Sequence, residues 1–378
     1  MLNKSVHLPE ELIIEILLRL TVKNVLRCKC VCKSWFSLIS NPNFATSHSQ
    51  LAASPTDKLV CLRNNSETLL SIDFNASLNN DSSYASLSHE FLPPRSYSEI
   101  GGSCRGFIFL LSYPDFFYLW NPSTGVHKNI PPSPNSITIV SGSYLETFLY
   151  GLAYDHSTDD YLVVLGSCDC RHLDYRIPCS ISFEIFSLRD NNWKYIEVDS
   201  HLIIQYGCDS NAGLLLNDSI HWMVRNWEVP THVYFDVIIA FDLKESRMLE
   251  IALPYGFDYK DYPSNHNLLV LGGLICASIV EMHTIKIWVM KKYAVHSSWT
   301  KILEFSVDPA LHCSLSIVCF TNSGDIIGRD NEGGLTKFND KGQLLERHSS
   351  PKSIKSNRFQ MALYTESLLS LPCAIEQV

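Results

Sequence analysis

The segment "LRCKCVCKSW", residues 26–35, places Cys28, Cys30 and Cys32 at alternate positions, a spacing that suggests metal or redox chemistry. On a strand, alternate residues share one face and would form a ladder of thiols, whereas on a helix Cys28 and Cys30 lie about 200° apart. The nearest histidines in sequence, His7 and His48, are remote, so no fourth ligand is evident. The segment is better interpreted as small apolar side chains at a corner between two helices.

A second segment, "CDCRHLDYRIPC", has the residue types of a zinc site. Cysteine and histidine are the ligands that Zn²⁺ prefers, and the four candidates lie within twelve positions, at Cys168, Cys170, His172 and Cys179. The Cys-x-Cys-x-His spacing differs, however, from the usual two-residue spacer between paired ligands. We therefore expect an inserted loop with ordinary thiols and assign no metal site, with zinc as the alternative.

No motif of a known catalytic class is present. The sequence lacks a Gly-x-Ser-x-Gly elbow, a His-Glu-x-x-His pair, a phosphate-binding glycine loop and a Cys-x-x-Cys pair. The adjacent carboxylates Asp159 and Asp160 are better explained by a turn between strands than by acid–base chemistry. We therefore assign no catalytic residue and no cofactor, and we expect a chain that is not an enzyme.

Composition narrows the classes of partner. The 378 residues carry a formal net charge of −9 without a basic stripe, which argues against nucleic acid. The longest apolar stretch, Leu268 to Val280, is shorter than the ~18 residues expected of a membrane span, and no secretory signal is evident. We expect a cytoplasmic or nuclear protein whose thirteen cysteines are mostly reduced.

Residues 8–39 have the periodicity of short amphipathic helices. Apolar side chains recur at Leu8, Leu12, Ile16 and Leu20, and Pro9 suits a first helical turn. Two more apolar stripes follow, and "NPNF" at residues 41–44 is expected to end the third helix. Three short helices of this size bury too little apolar area to be stable alone, so the sequence predicts a partner.

This segment also resembles a known family. "LPEELIIEILLRLTVKNVLRCKCVCKSWFSLISNPNF" is similar to an F-box, from the opening Leu-Pro through "EILLRL" and "VCKSW" to the closing Pro-x-Phe. The resemblance implies docking on the adaptor subunit of an SCF-type ubiquitin ligase and, through it, on a cullin. Carried over by position, the adaptor-facing surface and its shared core consist of Leu8, Pro9, Leu12, Ile16, Leu17, Leu20, Leu26, Val31 and Trp35. The alternative for each residue is that it only packs within the helices.

From Lys58 onward the pattern changes to short β-strands. Runs such as "KLVCL", "FIFLLS", "YLVVLG" and "IKIWVM" are rich in β-branched and aromatic residues and are separated by turn residues. An aromatic residue followed by a polar turn recurs at Trp120, Phe186, Phe241, Trp288 and Phe338, at steps of 47 to 66 residues. This spacing is near the ~50-residue period of kelch-type blades. We predict about six degenerate kelch-like blades, closed by a strand from residues 359–371.

The β-rich body has its own family resemblance. "SCRGFIFL", "LWNPSTG", "YGLAYDHSTDDYLVV", "FEIFSLRDNNWKYIEV" and "IIAFDL" run in the order found in the F-box-associated domain of plant F-box and kelch-repeat proteins. The resemblance implies a substrate-recruiting module without chemistry of its own. The expected fold is an α+β multidomain chain: a small three-helix F-box (1–48), a linker (49–56), an all-β, propeller-like domain (57–350) and a closing strand and tail (351–378).

Exposed aromatic residues on loops are the candidates for target contact, because such residues dominate the energetics of interfaces. The segment "YGFDYKDYP" supplies Tyr255, Phe257, Tyr259 and Tyr262, and other loops supply Tyr113, Phe116 and Trp227. The alternative for each is packing between blades.

The sequence therefore predicts the substrate-recognition subunit of an SCF-type ubiquitin ligase, which binds the adaptor through the F-box and an unidentified target protein through the β domain. Two alternatives remain: an F-box scaffold that acts outside the ligase, and a propeller lectin or enzyme tethered by an F-box.

Overall fold

The computed structural model describes residues 8–51, 57–63, 68–88, 90–93, 98–112, 116–134, 146–169, 181–198, 202, 204–207, 211–228, 233–255, 257, 265–281, 283–308, 315–330, 334–348 and 359–371. Within these residues the chain folds into an N-terminal group of helices and a β-propeller. No helix among them has both the length and the apolar character needed to cross a membrane.

The N-terminal region contains four short helices, α1 (Glu10–Leu18), α2 (Val22–Cys28), α3 (Lys33–Ile39) and α4 (Pro42–Leu51). The fourth helix corrects the three-helix expectation. Helix α3 does end before "NPNF", but Pro42 then begins a new helix, because proline suits the first helical position. The side chain of Asn41 caps this helix, accepting a hydrogen bond of 2.9 Å from the backbone N–H of Asn43. The new helix extends to Leu51, into the segment expected to be a linker.

The strands form six antiparallel sheets, which are the blades of the propeller. From the inner to the outer edge, blades 1 to 3 contain β25 (Phe359–Thr365), β1 (Asp57–Arg63), β2 (Thr68–Ile72) and β3 (Tyr84–Leu87); β4 (Ser98–Cys104), β5 (Phe107–Ser112), β6 (Phe116–Trp120) and β7 (His127–Ile130); and β8 (Glu146–Asp155), β9 (Asp160–Asp169), β10 (Ile181–Ser187) and β11 (Asn192–Val198).

Blade 4 contains β12 (Ile204–Gly207) and β13 (Leu214–Leu216), which both pair with β14 (Ser219–Glu228), followed by β15 (Val233–Asp242) and β16 (Arg247–Ile251). Blades 5 and 6 contain β17 (Asn265–Leu271), β18 (Leu274–Glu281), β19 (Thr284–Met290) and β20 (Trp299–Ser306); and β21 (Ser316–Phe320), β22 (Ile326–Arg329), β23 (Leu335–Phe338) and β24 (Leu344–His348).

The C-terminal strand closes the ring, as the sequence predicted. Strand β25 pairs antiparallel with β1, with Leu363 opposite Leu59, and so completes blade 1 from both ends of the propeller sequence. An ion pair of 2.7 Å between Lys58 and Glu366 supports this closure. The buried hydroxyls of Ser71 and Tyr364 also lie 2.8 Å apart within the blade.

The repeated aromatic residues occupy one structural position. The five predicted markers are buried in the third strands of blades 2 to 6, at Trp120, Phe186, Phe241, Trp288 and Phe338. The turn that follows such a strand contains a residue with positive φ. Gly342 shows why in blade 6: its φ is +78°, and a Cβ there would lie 2.1 Å from the ring of Phe305. The pattern of an aromatic residue followed by a polar turn therefore corresponds to a buried third strand and the tight turn after it.

Apolar clusters fill the space between neighbouring blades, including blades 1 and 6, where Leu59 packs with Ile327. The inner strands β4, β13, β17, β21 and β25 line a central cavity of about 450 Å³. The cluster between blades 2 and 3 also contains helical residues such as Leu17, Val25 and Ile39. The four helices therefore pack against the propeller at these two blades.

Phe183 provides a test of the packing between blades 3 and 4. Its ring lies 4.2 Å from Phe241 and 5.8 Å from Trp222, measured between centroids. Phe183→Ala should lower the free energy of unfolding by about 3–5 kcal/mol, because the cavity cannot collapse between two rigid sheets. Tyr195→Ala, on the exposed edge of the same blade, should cost less than about 0.5 kcal/mol. Equal losses in urea titrations of the two variants would contradict this packing.

Candidate functional site

Helix α1 divides its apolar residues between two directions. Leu8, just before the helix, and Leu12 and Ile16 within it are about half exposed, whereas Leu17 is only 1% exposed and belongs to the apolar core. Successive residues turn by 100° along a helix, so the stripe at i, i+4 and i+8 faces away from Leu17. Within the adaptor-facing surface and shared core that the F-box resemblance implies, Leu17 therefore packs in the core, whereas Leu8, Leu12 and Ile16 face solvent.

A second exposed apolar region lies around α3. Val31 and Phe36 are more than half exposed, whereas Trp35 is half-buried and packs against the core. The ammonium group of Lys29 lies 6.0 Å from the centre of the Phe36 ring, within range of a cation–π contact. The F-box resemblance named Trp35 for the adaptor-facing surface and its shared core, and it did not name Phe36. The signal was available, since Trp35, Leu38 and Ile39 already define the buried face of α3 and Phe36 falls outside it.

The remaining residues implied by the F-box resemblance differ in burial. Leu20 and Leu26 are partly buried against the core, and Pro9 is exposed at the start of α1. The buried ring of His48 in α4 donates from Nε2 to the carbonyl of Leu20 at 2.8 Å. This bond ties the fourth helix to the end of the first, so α4 belongs to the same structural unit.

The three opening cysteines lie on different elements. Cys28 ends α2 and is half-buried, whereas Cys30 and Cys32 are exposed in and after the turn. The hydroxyl of Ser34, 3.4 Å from the Cys32 sulfur, is the main cause of a pKa below the ordinary thiol value at Cys32. The described residues contain no cluster of three or more potential metal ligands. Cys170, His172, Cys179 and the side chain of Cys168 lie outside them.

Tyr255 is the most exposed large hydrophobic side chain of the described propeller, at 88%. Its ring nevertheless has a fixed support: it packs edge-on against His296, with 4.4 Å between the centroids. The His296 ring is itself anchored, because Nε2 donates to the carbonyl of Leu253 at 2.9 Å. An exposed aromatic ring whose orientation is held by its neighbours is well suited to partner contact.

The loop between β19 and β20 forms the rest of this surface. The indole of Trp299 donates to the carbonyl of Ala252 at 2.9 Å, which joins the loop to the segment that carries Tyr255. Tyr293 and Val295 are partly exposed on the loop, and Lys291 and Lys292 at its start are exposed and positively charged. We call the set Tyr255, Lys291, Lys292, Tyr293, Val295 and His296 the Tyr255 surface.

Phe257 corrects an expectation. It is only 7% exposed, and its ring packs 4.8 Å from His266 and 5.3 Å from Trp288, so it fills the interface between blades 4 and 5 and is not available to a partner. Phe116 is partly exposed at the start of β6. Trp227 lies in β14, but its side chain is outside the described residues, as are Tyr113, Tyr259 and Tyr262.

A buried ionic network joins blades 4 and 5. The carboxylate of Asp236 accepts hydrogen bonds from Nδ1 of His266 and, at 3.1 Å, from Nε of Arg225. Burial opposes ionisation of Asp236, but these two partners outweigh it and hold the pKa of the carboxyl below its ordinary value. The Nε2 atom of His266 is buried and has no hydrogen-bond partner within the described structure. The network therefore connects blade 4 to blade 5.

Asp236→Asn tests this network. Removing one member of a buried ion pair should cost about 3–5 kcal/mol at pH 7, whereas Asp218→Asn, which breaks the exposed pair with Lys244, should cost far less. The Asp236 contribution is present above the ordinary carboxyl pKa of about 4 and is lost as the pH falls through the lower folded value. The denaturant midpoints of the wild type and of Asp236→Asn should therefore converge as the pH falls below about 4. A difference between the two midpoints that stays constant with pH would contradict the assignment.

Comparison with known proteins agrees with this architecture. Residues 6–47 match the F-box domain and residues 57–335 match the F-box associated beta propeller domain. The F-box protein CPR1 of Arabidopsis thaliana is 29% identical over 316 residues, covering 78% of this chain and 72% of that protein. The F-box/kelch-repeat protein At3g23880 of the same plant is 29% identical over 316 residues, covering 79% of each chain. An F-box domain implies binding to the adaptor of SCF complexes, and members of this family are typically non-catalytic.

Proposed function

We propose that this chain, which belongs to the plant F-box proteins with an F-box-associated β-propeller domain, is the substrate receptor of an SCF-type ubiquitin ligase. The observation that carries the proposal is the exposed stripe of Leu8, Leu12 and Ile16 on a helical unit packed against a propeller. One part of the molecule is suited to an adaptor, and the other offers a rigid frame for a target.

Apolar side chains of the helices that are exposed to solvent support the proposed adaptor contact. Within residues 8–39 five large apolar side chains are exposed, namely Leu8, Leu12, Ile16, Val31 and Phe36. Complete burial of an exposed apolar side chain contributes about 1.5–3 kcal/mol, and these side chains are already about half covered. A partner that covers the rest would therefore gain roughly half of that value from each of them. We propose that they contact the adaptor, that Pro9 begins this surface, and that Leu17, Leu20, Leu26 and Trp35 shape it from beneath.

The proposed division of labour follows the chain. Residues 1–48 bind the adaptor, residues 49–56 connect, and residues 57–350 with the closing strand and tail at 351–378 hold the target. The chain itself transfers no ubiquitin. Its contribution is proximity, because a target held on the propeller meets the ubiquitin-charged enzyme at a raised effective concentration.

The Tyr255 surface is the proposed target contact that the geometry supports best. Tyr255 and Val295 offer apolar area on two segments joined by hydrogen bonds, and Lys291 and Lys292 add positive charge to a chain of net charge −9. We propose that it recognises a target segment combining an apolar side chain with acidic residues. Phe116, Tyr113, Trp227, Tyr259 and Tyr262 remain proposed secondary contacts.

The double variant Leu12→Glu and Ile16→Glu tests the adaptor contact. Charges placed in an apolar interface should weaken binding to a recombinant adaptor by at least about 100-fold, equivalent to about 2.7 kcal/mol, in a calorimetric titration. Leu344→Glu is the matched control, because Leu344 is a half-exposed leucine of blade 6. Leu17 is excluded from this test, since a charge there would disrupt the core. Undiminished affinity of the double variant would refute the proposed contact.

Tyr255→Ala tests the target contact. In the background of Leu12→Glu and Ile16→Glu, which retains targets without passing them on, the substitution should reduce the recovery of captured target proteins at least about tenfold, as expected for a hot spot. Tyr195→Ala removes a half-exposed tyrosine from the edge of blade 3 and should leave recovery unchanged. Quantitative mass spectrometry measures both; equal recovery would remove Tyr255 from the site.

A further inference from the structure

A short segment that follows the ring-closing strand lies where the helices and the propeller meet. Strand β25 ends at Thr365, and residues 366–371 continue outside any helix or strand. We call residues 366–371 the C-terminal segment. Leu368 and Leu369 within it are buried although no regular structure holds them. Irregular backbone at a buried position needs specific partners for its polar groups.

Asn121 supplies those partners. Its side-chain amide is fully buried, and Nδ2 donates to the carbonyls of Ser367 and Leu369, each at 3.1 Å. An amide nitrogen carries two hydrogens, so both are used by the C-terminal segment. The hydroxyl of Ser123 accepts a third bond from the backbone N–H of Ser367, also at 3.1 Å. The turn between β6 and β7 thus holds the segment against blade 2.

The turn between β4 and β5 fits the same segment sterically. Gly106 has a φ of +83°, and a Cβ at this position would lie 2.2 Å from the Cβ of Ser367. No side chain can be accommodated there unless the segment moves. Two turns of blade 2 therefore fix its position, one by hydrogen bonds and one by close contact.

The apolar side of the segment belongs to the core of the helices. Leu368 and Leu369 lie in the same cluster as Leu17 and Ile39, and Leu371 packs against that cluster. The cluster also contains residues of blades 2 and 3, so three parts of the chain share one core at this position.

We propose that the C-terminal segment fixes the orientation of the F-box relative to the propeller, with Asn121 and Gly106 as positioning residues. This inference goes beyond adaptor and target binding, because it concerns the distance between the two sites. A receptor whose two sites keep a fixed separation presents target lysines at a reproducible distance from the charged enzyme. The strand that closes the ring then also sets the orientation of the adaptor-binding unit.

Two substitutions with matched logic test the proposal. Asn121→Asp keeps the Oδ1 atom that accepts from the backbone N–H of Ser123 at 2.9 Å, but it removes both donors to the segment. Gly106→Ala introduces the clash with Ser367. Gly125→Ala is its control, because Gly125 has a φ of +78° in the other turn of blade 2 and its Cβ would meet no atom within 4 Å.

The orientation is measured as the distance between two dyes by single-molecule energy transfer. The dyes are attached to noncanonical residues that replace Lys23 in α2 and Lys341 in blade 6, because the thirteen cysteines preclude thiol labelling. The wild type and Gly125→Ala should give one narrow distance peak, and Asn121→Asp and Gly106→Ala should lose it. Narrow wild-type peaks in both test variants would overturn the proposal.

Folding and function are separated by two further measurements. If Asn121→Asp or Gly106→Ala loses its cooperative unfolding transition, the energy-transfer measurement is repeated on Leu371→Ser. This substitution leaves the closing strand and the hydrogen bonds of Asn121 intact, and it should also broaden the distance peak. An unchanged narrow peak in Leu371→Ser would equally overturn the proposal. Adaptor affinity, measured in parallel, should be unchanged in all variants. Failure of the wild type to bind adaptor would refute the proposed function while leaving the distance result valid.

Discussion

Each blade of this propeller has two apolar faces, and neither can be buried within the blade itself. Strand β5 illustrates the constraint, because all six of its residues are buried and they face both neighbouring blades. Only a closed ring gives every blade two neighbours, and here closure depends on a strand that returns from the far end of the chain to pair with β1. The free energy of unfolding of the whole propeller therefore depends on the pairing of β25 with β1.

The same constraint accounts for the position of the helices. The closing strand delivers residues 366–371 to the turns of blade 2, and Leu368 and Leu369 enter the core that the helices share. Burial there uses the inner stripe of α1, which contains Leu17, and leaves the outer stripe with Leu12 and Ile16 exposed. The surface proposed for the adaptor is thus the half of an amphipathic helix that the propeller does not cover.

Sequence reasoning recovered what periodicity encodes. The alternating strands and the aromatic residues of the third strands were predicted, because burial on both faces of a sheet leaves a repeated pattern. A closing strand was predicted within residues 359–371, and the structure has it at Phe359–Thr365. It failed where the outcome depends on tertiary contacts. A proline after asparagine was interpreted as a stop, yet Asn41 and Pro42 begin α4. Leu17 and Ile16 look alike in sequence, and only packing distinguishes them.

The aromatic candidates for target contact show the same limit. Tyr255 and Phe257 are two positions apart in one loop, but the first is exposed and the second fills the interface between blades 4 and 5. The composition of the loop predicted the candidates, but packing against the neighbouring blades determines which of the two rings is exposed to solvent. The Asp236 and His266 pair was not visible from sequence at all, since thirty residues and a blade boundary separate its members.

The central claim is that this chain connects a target to a ubiquitin ligase through its F-box. The most direct measurement is purification of the tagged full chain from plant cells, followed by quantification of the adaptor and of the cullin, including its neddylated form. The account predicts that both co-purify with the chain in near-equal amounts. Recovery of the adaptor without any cullin would contradict the account and would identify the protein as a scaffold that acts outside the ligase.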